Sequence, residues 1–375
     1  MDKITFENYK SFKNKQELEL KPITILLGKN SAGKSSIAKL PSLIEHSLKG
    51  VTKEPLQLVN DDVELGAEFR DLMYGRKTTG ANALTIGMSH NNEALEVAIV
   101  QTNAATDAFE IMEWRHTING RTSIKSDDVA YNGFKPEDEH NVSLKLCSDY
   151  IGPFRKLPER GYSRHSVKNK SKFGVHGENA YPILIQDSFE TSEVISKVAD
   201  WYKEYFDGWS IKIDHDKSPF FQVEIGRDET GTYVNLKDVG QGMSQALPIV
   251  TRAFYPAERE TLIVLEQPEL HLHPAAHGEL GELFVQSVID DSNKKYLIET
   301  HSQNLILRIR SLVASGHIPS SHVVLYFVDF NHEESMSSLK KINLDEKGNV
   351  SFWPEDIFNE SFVEARKLSK AQRGQ

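Results

Sequence analysis

Gly28-Lys29-Asn30-Ser31-Ala32-Gly33-Lys34-Ser35, preceded by the apolar run Ile23-Thr24-Ile25-Leu26-Leu27, decides how this chain is read. The stretch fits G-x-x-x-x-G-K-[ST] and stands between a strand and a helix, the setting in which that pattern cradles phosphate. Two glycines let the backbone turn so that successive N–H groups point at phosphate oxygens. The helix that opens after Gly33 adds the positive end of its dipole. Lys34 is expected to reach the β- and γ-phosphates of ATP, and the Ser35 hydroxyl to ligate Mg²⁺. Lys29, Asn30, Ser31, Ala32, Gly33 and Ser36 complete the expected cradle.

Such a loop needs a carboxylate at the end of a neighbouring buried strand. Leu262-Ile263-Val264-Leu265 is apolar, and Glu266 follows it, with Gln267, Pro268 and Glu269 behind. Glu266 is the expected second metal ligand. Further on, Lys295-Tyr296-Leu297-Ile298-Glu299-Thr300 reads as another strand that ends at His301, where an imidazole is placed to contact a γ-phosphate.

The remaining pattern fits an α/β fold. Residues 2–27 read as two short strands. Ala83–Met88, Ala94–Val100 and Ala108–Ile118 half-alternate and suggest an antiparallel sheet, and the polar stretch 119–148 reads as a loop-rich insertion. Residues 192–206 carry apolar side chains at helical spacing, and the Trp201/Tyr202/Tyr205/Phe206 group reads as core. A hairpin is expected over Phe220–Leu236. Beyond residue 240, strands alternate with helices, as in a parallel sheet built of βαβ units. The expected organisation is one nucleotide-binding unit over 1–375, which the resemblance stated below makes an ATPase head. Its P-loop lobe starts in 1–80, and an antiparallel and helical insertion fills 81–235. A second lobe follows at 236–330, then closing strands and a short helix at 331–375.

Composition sets limits. The 375 residues are 39% hydrophobic and 26% charged, a globular balance. Cys147 is the single cysteine, so an intrachain disulfide or cysteine-cluster metal site is excluded, and a reducing compartment is expected. The chain has no apolar run of membrane-spanning length and no signal-peptide core, which points to a cytoplasmic protein and to no membrane partner. The net charge of −10 argues against a surface coated in positive charge for nucleic acid. One segment departs from that balance. Residues 155–172 hold Arg155, Lys156, Arg160, Arg164, Lys168, Lys170 and Lys172 against Glu159 alone, a candidate DNA-binding run with Tyr162 and Phe173 available for stacking. A solvated loop is its bland alternative. His271, His273 and His277 have a spacing that could ligate zinc, but a polar loop facing a partner is the preferred reading.

These pieces resemble the ABC/SMC class of ATPases, and in particular compact AAA-family ATPases related to the overcoming-lysogenization-defect (OLD) proteins and to the ATPase of Septu phage defence. Leu262–Pro274 looks like the Walker B and D-loop of that family, and Ile298–Arg310 like its switch-histidine segment. Lys237–Gln245 is similar to its degenerate signature loop. Asn8–Asn14 is similar to its opening turn, which implies that Ser11 and Phe12 lie against the adenosine. Tyr150–Arg155 and Ser351–Phe358 also have family counterparts. The resemblance implies two heads sandwiching two ATPs, in a homodimer or higher even oligomer. Gly240, Gln241, Gly242 and Ser244 would then meet the γ-phosphate held by another subunit's Lys34.

One departure matters. ABC proteins usually carry Asp-Glu where this chain has Glu266-Gln267. Gln267 can orient water but cannot accept a proton. Glu269 or His301 is the alternative base, and slow hydrolysis with a long-lived ATP dimer is expected. No segment reads as a nuclease, and too few residues follow the helix after His301 for a Toprim domain. The expected function is an ATP switch that gates a separate effector, plausibly a nuclease, in bacterial phage defence. The competing readings are a DNA-clamping ATPase of repair or recombination, and a nucleotide-binding scaffold without turnover.

Overall fold

The computed structural model describes residues 1–79, 82–126, 129–137, 141–163, 172–216, 219–354, 357 and 360–372. The chain opens with β1 (Lys3–Glu7), β2 (Gln16–Glu19) and β3 (Ile23–Gly28), then α1 (Lys34–Lys49). Short β4 (Val59–Asn60) and β5 (Val63–Glu64) lead into β6 (Leu84–His90), β7 (Glu93–Asn103), β8 (Ala108–Ile118) and β9 (Arg121–Ser126). A small hairpin of β10 (Tyr131–Asn132) and β11 (Lys135–Pro136) precedes β12 (Ser148–Ile151) and β13 (Tyr162–Ser163). Then come α2 (Ala180–Glu190), α3 (Glu193–Tyr205), β14 (Ser210–Asp214), β15 (Phe220–Arg227) and β16 (Thr232–Asn235). The last third alternates α4 (Gln241–Phe254), β17 (Thr261–Glu266), α5 (Pro274–Asp290), β18 (Lys294–Glu299), α6 (Gln303–Ala314) and β19 (Val323–Asn331). It closes with β20 (Met336–Ile342) and α7 (Glu360–Gln372).

The central sheet runs β12-β17-β18-β3-β19-β20, parallel except for β20. Every residue of β3 and β17 is buried, as a strand covered on both faces requires. Alternate side chains enter two cores. Ile23, Ile25, Ile263 and Leu265 pack with α2–α6, whereas Leu26, Leu262 and Val264 pack with α1 and a second sheet. That second sheet, β2-β1-β6-β7-β8-β9, is antiparallel. The expected hairpin is β15–β16, and Trp201 and Tyr202 lie in the core.

Two expectations need correction. Residues 2–27 form three strands, because Gln16-Glu17-Leu18-Glu19 sits at a sheet edge and needs little apolar surface. The stretch 119–148 contains β9, also an edge strand, and the β10–β11 hairpin. Its last residue begins β12, which extends the central sheet.

Candidate nucleotide site

The parallel strands bring the chemistry together at their C-terminal ends, where ligands of open α/β sheets bind. β18 lies between β3 and β17, with Glu299 opposite Leu26 on one side and Glu266 on the other. Gly28 ends β3 with φ 154°, and a side chain there would meet the Val328 carbonyl at 2.4 Å. Gly33 takes φ 106°, where a Cβ would lie 2.6 Å from Ser11 Oγ. Both positions therefore demand glycine.

Lys34 is buried. Its ammonium donates to the carbonyls of Gly28 (3.0 Å) and Lys29 (2.9 Å) and stands 3.8 Å from Glu299. Burial pulls its pKa down, against the opposing pull of Glu299 and Glu266. Ser35 Oγ donates to Glu299 Oε2 at 2.8 Å. Glu266 Oε1 accepts from the Tyr150 hydroxyl at 2.6 Å. Burial, then the neighbouring Glu299 charge, pushes the Glu266 carboxyl up to about 7. Glu299 is also raised by burial, with Ser35 and Lys34 opposing.

Above these groups opens a cavity of about 670 Å³, lined by Asn30, Ser31, Gly33–Ser36, Gln267, Glu299 and His301. The Ser11 hydroxyl beside Gly33 also lines it and has no hydrogen-bond partner among the described residues. That orphaned polar atom and the inward-turned loop fit a polyphosphate ligand. Two buried carboxylates with a hydroxyl fit Mg²⁺, which takes one or two carboxylates alongside phosphate oxygens.

Gln267 lines this cavity with φ 46°, its N–H bonded to Glu299 O at 2.8 Å. Arg155 is buried and holds the same turn from behind, donating to the carbonyls of Glu266 (3.1 Å) and Gln267 (2.7 Å). Glu269 points elsewhere. Its Oε1 accepts from Thr300 Oγ1 and the His301 N–H, both at 2.7 Å, so it supports the histidine turn and is not turned to the cavity as a base. His301 lines the cavity, its imidazole held below its ordinary pKa by desolvation and the Lys34 charge. It also lines a second cavity of about 500 Å³ with Gln267, Glu269 and His271.

Phe12 and Ser244 depart from expectation. Phe12 is fully buried under Gly33 and packs edge-on to Phe6, so it supports the loop and cannot lie on an adenosine. Ser244 is buried with its hydroxyl on Gln241 O (3.1 Å), whereas Gly240 and Gln241 are exposed at the N-terminus of α4. Gly242 packs against the His271 carbonyl. Lys29 is exposed, and Ala32 is buried and offers only backbone.

Among its described residues, the basic run does not form the expected stacking surface. Arg155 is buried, Lys156 pairs with Glu159, Arg160 with Asp238, and Lys172 with Glu45 and Asp61. Tyr162 and Phe173 are core residues. Arg164, Lys168 and Lys170 lie outside the described residues. His277 commits both ring nitrogens, to Ser302 Oγ and Leu272 O, which leaves it no electron pair for zinc.

Sequence reasoning missed Glu299, the last residue of β18. It also missed Lys10, Asp71, Met73, Gly75 and Arg76 on the cavity wall, where Arg76 pairs with Asp71 at 2.7 Å. The 69–76 segment carries no periodic or motif signal.

The fold and the loop define a P-loop ATPase of the SMC-head type. The chain belongs to the AAA ATPase domain family, whose match covers residues 1–150 and 166–306. Residues 318–368 match a second family, described as a protein of unknown function (DUF3696). The OLD nuclease of Escherichia phage P2 is 19% identical over 357 residues, covering 81% of this chain. The chain spans 56% of that relative's length. Among solved structures, the SMC head bound to the C-winged helix domain of ScpA aligns with a TM-score of 0.51 at 14% identity, covering 92% of this chain and 98% of that one. The SMC head domain from Thermotoga maritima aligns with a TM-score of 0.46 at 12% identity, covering 92% and 99%. At these identities the likeness is one of fold. Among the described residues no helix is long and apolar enough to cross a membrane.

Proposed function

We propose that this ATPase is a slow nucleotide switch: two heads pair around ATP·Mg²⁺, and the paired state gates a partner effector, such as a nuclease, in phage defence. The observation that carries the reading is the union of Lys34, Ser35, Gln267, Glu299 and His301 at one strand-end cavity, with Glu266 buried opposite Glu299 on the neighbouring strand. Lys34 and the loop N–H groups bind the phosphates, with Ser11, Asn30, Ser31 and Ser36 beside them. Ser35, Glu266 and Glu299 would hold Mg²⁺, which supplies charge neutralisation at the phosphates. Tyr150 fixes the Glu266 carboxylate. Gln267, held by Arg155, orients water without taking its proton, and His301, largely neutral at pH 7, can accept a hydrogen bond from it.

Gly240 and Gln241, exposed at a helix start with no side-chain cap, and the half-buried Gly242 behind them are the groups offered to a second head's phosphate. The single-head organisation over 1–375 is part of this proposal. So is the effector, which the likeness to a phage nuclease supports. The DNA-clamp reading is weakened by the internal pairing of Lys156, Arg160 and Lys172. Multiple-turnover phosphate release tests the reading. A rate below about 10 s⁻¹, the enzyme median, that disappears in Lys34→Ala is expected, and a faster rate overturns the switch.

A further inference from the structure

A further concave site lies at the opposite end of the central sheet from the nucleotide loop. It is a cavity of about 540 Å³, within the range of ligand pockets, where α1 ends and where β12 and β17 begin. Leu48, Leu144, Leu146 and Cys147 give it an apolar floor. Lys135, Lys145 and Arg259 stand around that floor on three separate segments, and none has an ion-pair partner among the described residues. Its acidic side chains are neutralised from within: Glu45 by Lys49 and Lys172, and Glu260 by Lys295. In a chain of net charge −10, this is a local site of the opposite sign.

The segment 144–146 along the cavity belongs to no strand, and its backbone N–H and C=O groups bond to no other group among the described residues. It runs into β12, one of the two edge strands of the central sheet. Unpaired backbone beside an edge strand is what an incoming extended chain uses for main-chain hydrogen bonds. Among the described residues of the wall, His90 is the only ring on which a base could stack, so the apolar floor suits a side chain better than a nucleotide.

We propose that this cavity is a docking site for an extended acidic peptide of a partner protein. One large apolar side chain of the peptide would fill the Leu48/Leu144/Leu146/Cys147 floor, and flanking carboxylates would meet Lys135, Lys145 and Arg259. The site does not depend on the nucleotide reading. It has a route to the nucleotide cavity, however: Glu45 on its wall accepts from Ser148 N (3.0 Å) and Oγ (2.7 Å), two residues before Tyr150.

The test is selection of a random dodecapeptide library on the full chain. The selected peptides are then titrated by fluorescence anisotropy against wild type, the exposed-residue double variant Lys145→Glu/Arg259→Glu, and Lys34→Ala. Acidic peptides with a central large apolar residue are expected to emerge. They should bind the double variant roughly tenfold or more weakly and Lys34→Ala as well as wild type. Cys147, the only cysteine, reports occupancy by mass spectrometry, because a bound peptide should slow its alkylation. The proposal is overturned by neutral or basic selected peptides, by equal binding to the double variant, by loss of binding in Lys34→Ala, or by unprotected Cys147. It is also overturned if nothing is enriched, or if single-stranded DNA binds more tightly than any peptide and loses that binding in the double variant.

Discussion

At the scale of the residue, Gln267 sets the tempo of the proposed switch. It occupies a left-handed turn fixed by Arg155 and by Glu299 O, one residue beyond the Glu266 carboxylate. An amide there positions water but removes no proton, and a positioned general base is worth roughly 10²–10⁴-fold. Gln267→Glu is therefore expected to raise kcat by at least about tenfold, read as phosphate release under saturating ATP. An unchanged or lower kcat would show that the missing base does not limit the rate. The sequence displayed this part of the site because Gly28–Ser35 and Glu266–Gln267 are contiguous and chemically distinctive. Glu299 was hidden because, within Lys295–Thr300, it looks like an ordinary strand residue. Phe12 and Ser244 were misassigned because a motif gives a position in the chain but not whether the fold turns that side chain inward.

At the scale of the element, two buried charges tie strands to helices around β12. Asp149 on β12 accepts from Arg252 on α4 at 2.5 Å and from Phe173 N at 2.8 Å, and both charged side chains are almost wholly buried. Arg252→Met leaves that carboxylate alone in the core and is expected to cost about 3–5 kcal/mol, measured as a lower urea midpoint at unchanged slope. Glu45 on α1 shows the opposite balance. Burial pushes its carboxyl up, but Lys172, Ser148 and Lys49 outweigh burial and hold it below its ordinary 4.5. A depressed carboxyl contributes stability above its unfolded pKa and loses it as the pH falls through the folded value. Unfolding followed from pH 6 down to pH 3 should therefore lose less stability in Lys172→Met than in wild type. A parallel loss in both would remove Lys172 as the cause. Long periodic elements such as α3 and β15–β16 were legible because burial imposes a pattern on them. β2 and β9 were not, since an edge strand can be polar, and α2 carries a proline among near-continuous apolar residues.

At the scale of the molecule, the parallel sheet separates two cores, with α1 after the phosphate loop packed in one and α4 in the other. In the proposed switch, the start of α4, where Gly240 and Gln241 are exposed and Gly242 is half-buried, meets the phosphate held by the Lys34 of a second head. Association should then follow nucleotide occupancy by mass action. Solution mass with and without Mg·ATP, for wild type and for Lys34→Ala, tests this claim most directly. The account predicts that ATP raises the wild-type mass by a whole subunit multiple and leaves Lys34→Ala unmoved. A wild-type mass indifferent to ATP, or the same rise in Lys34→Ala, would contradict it.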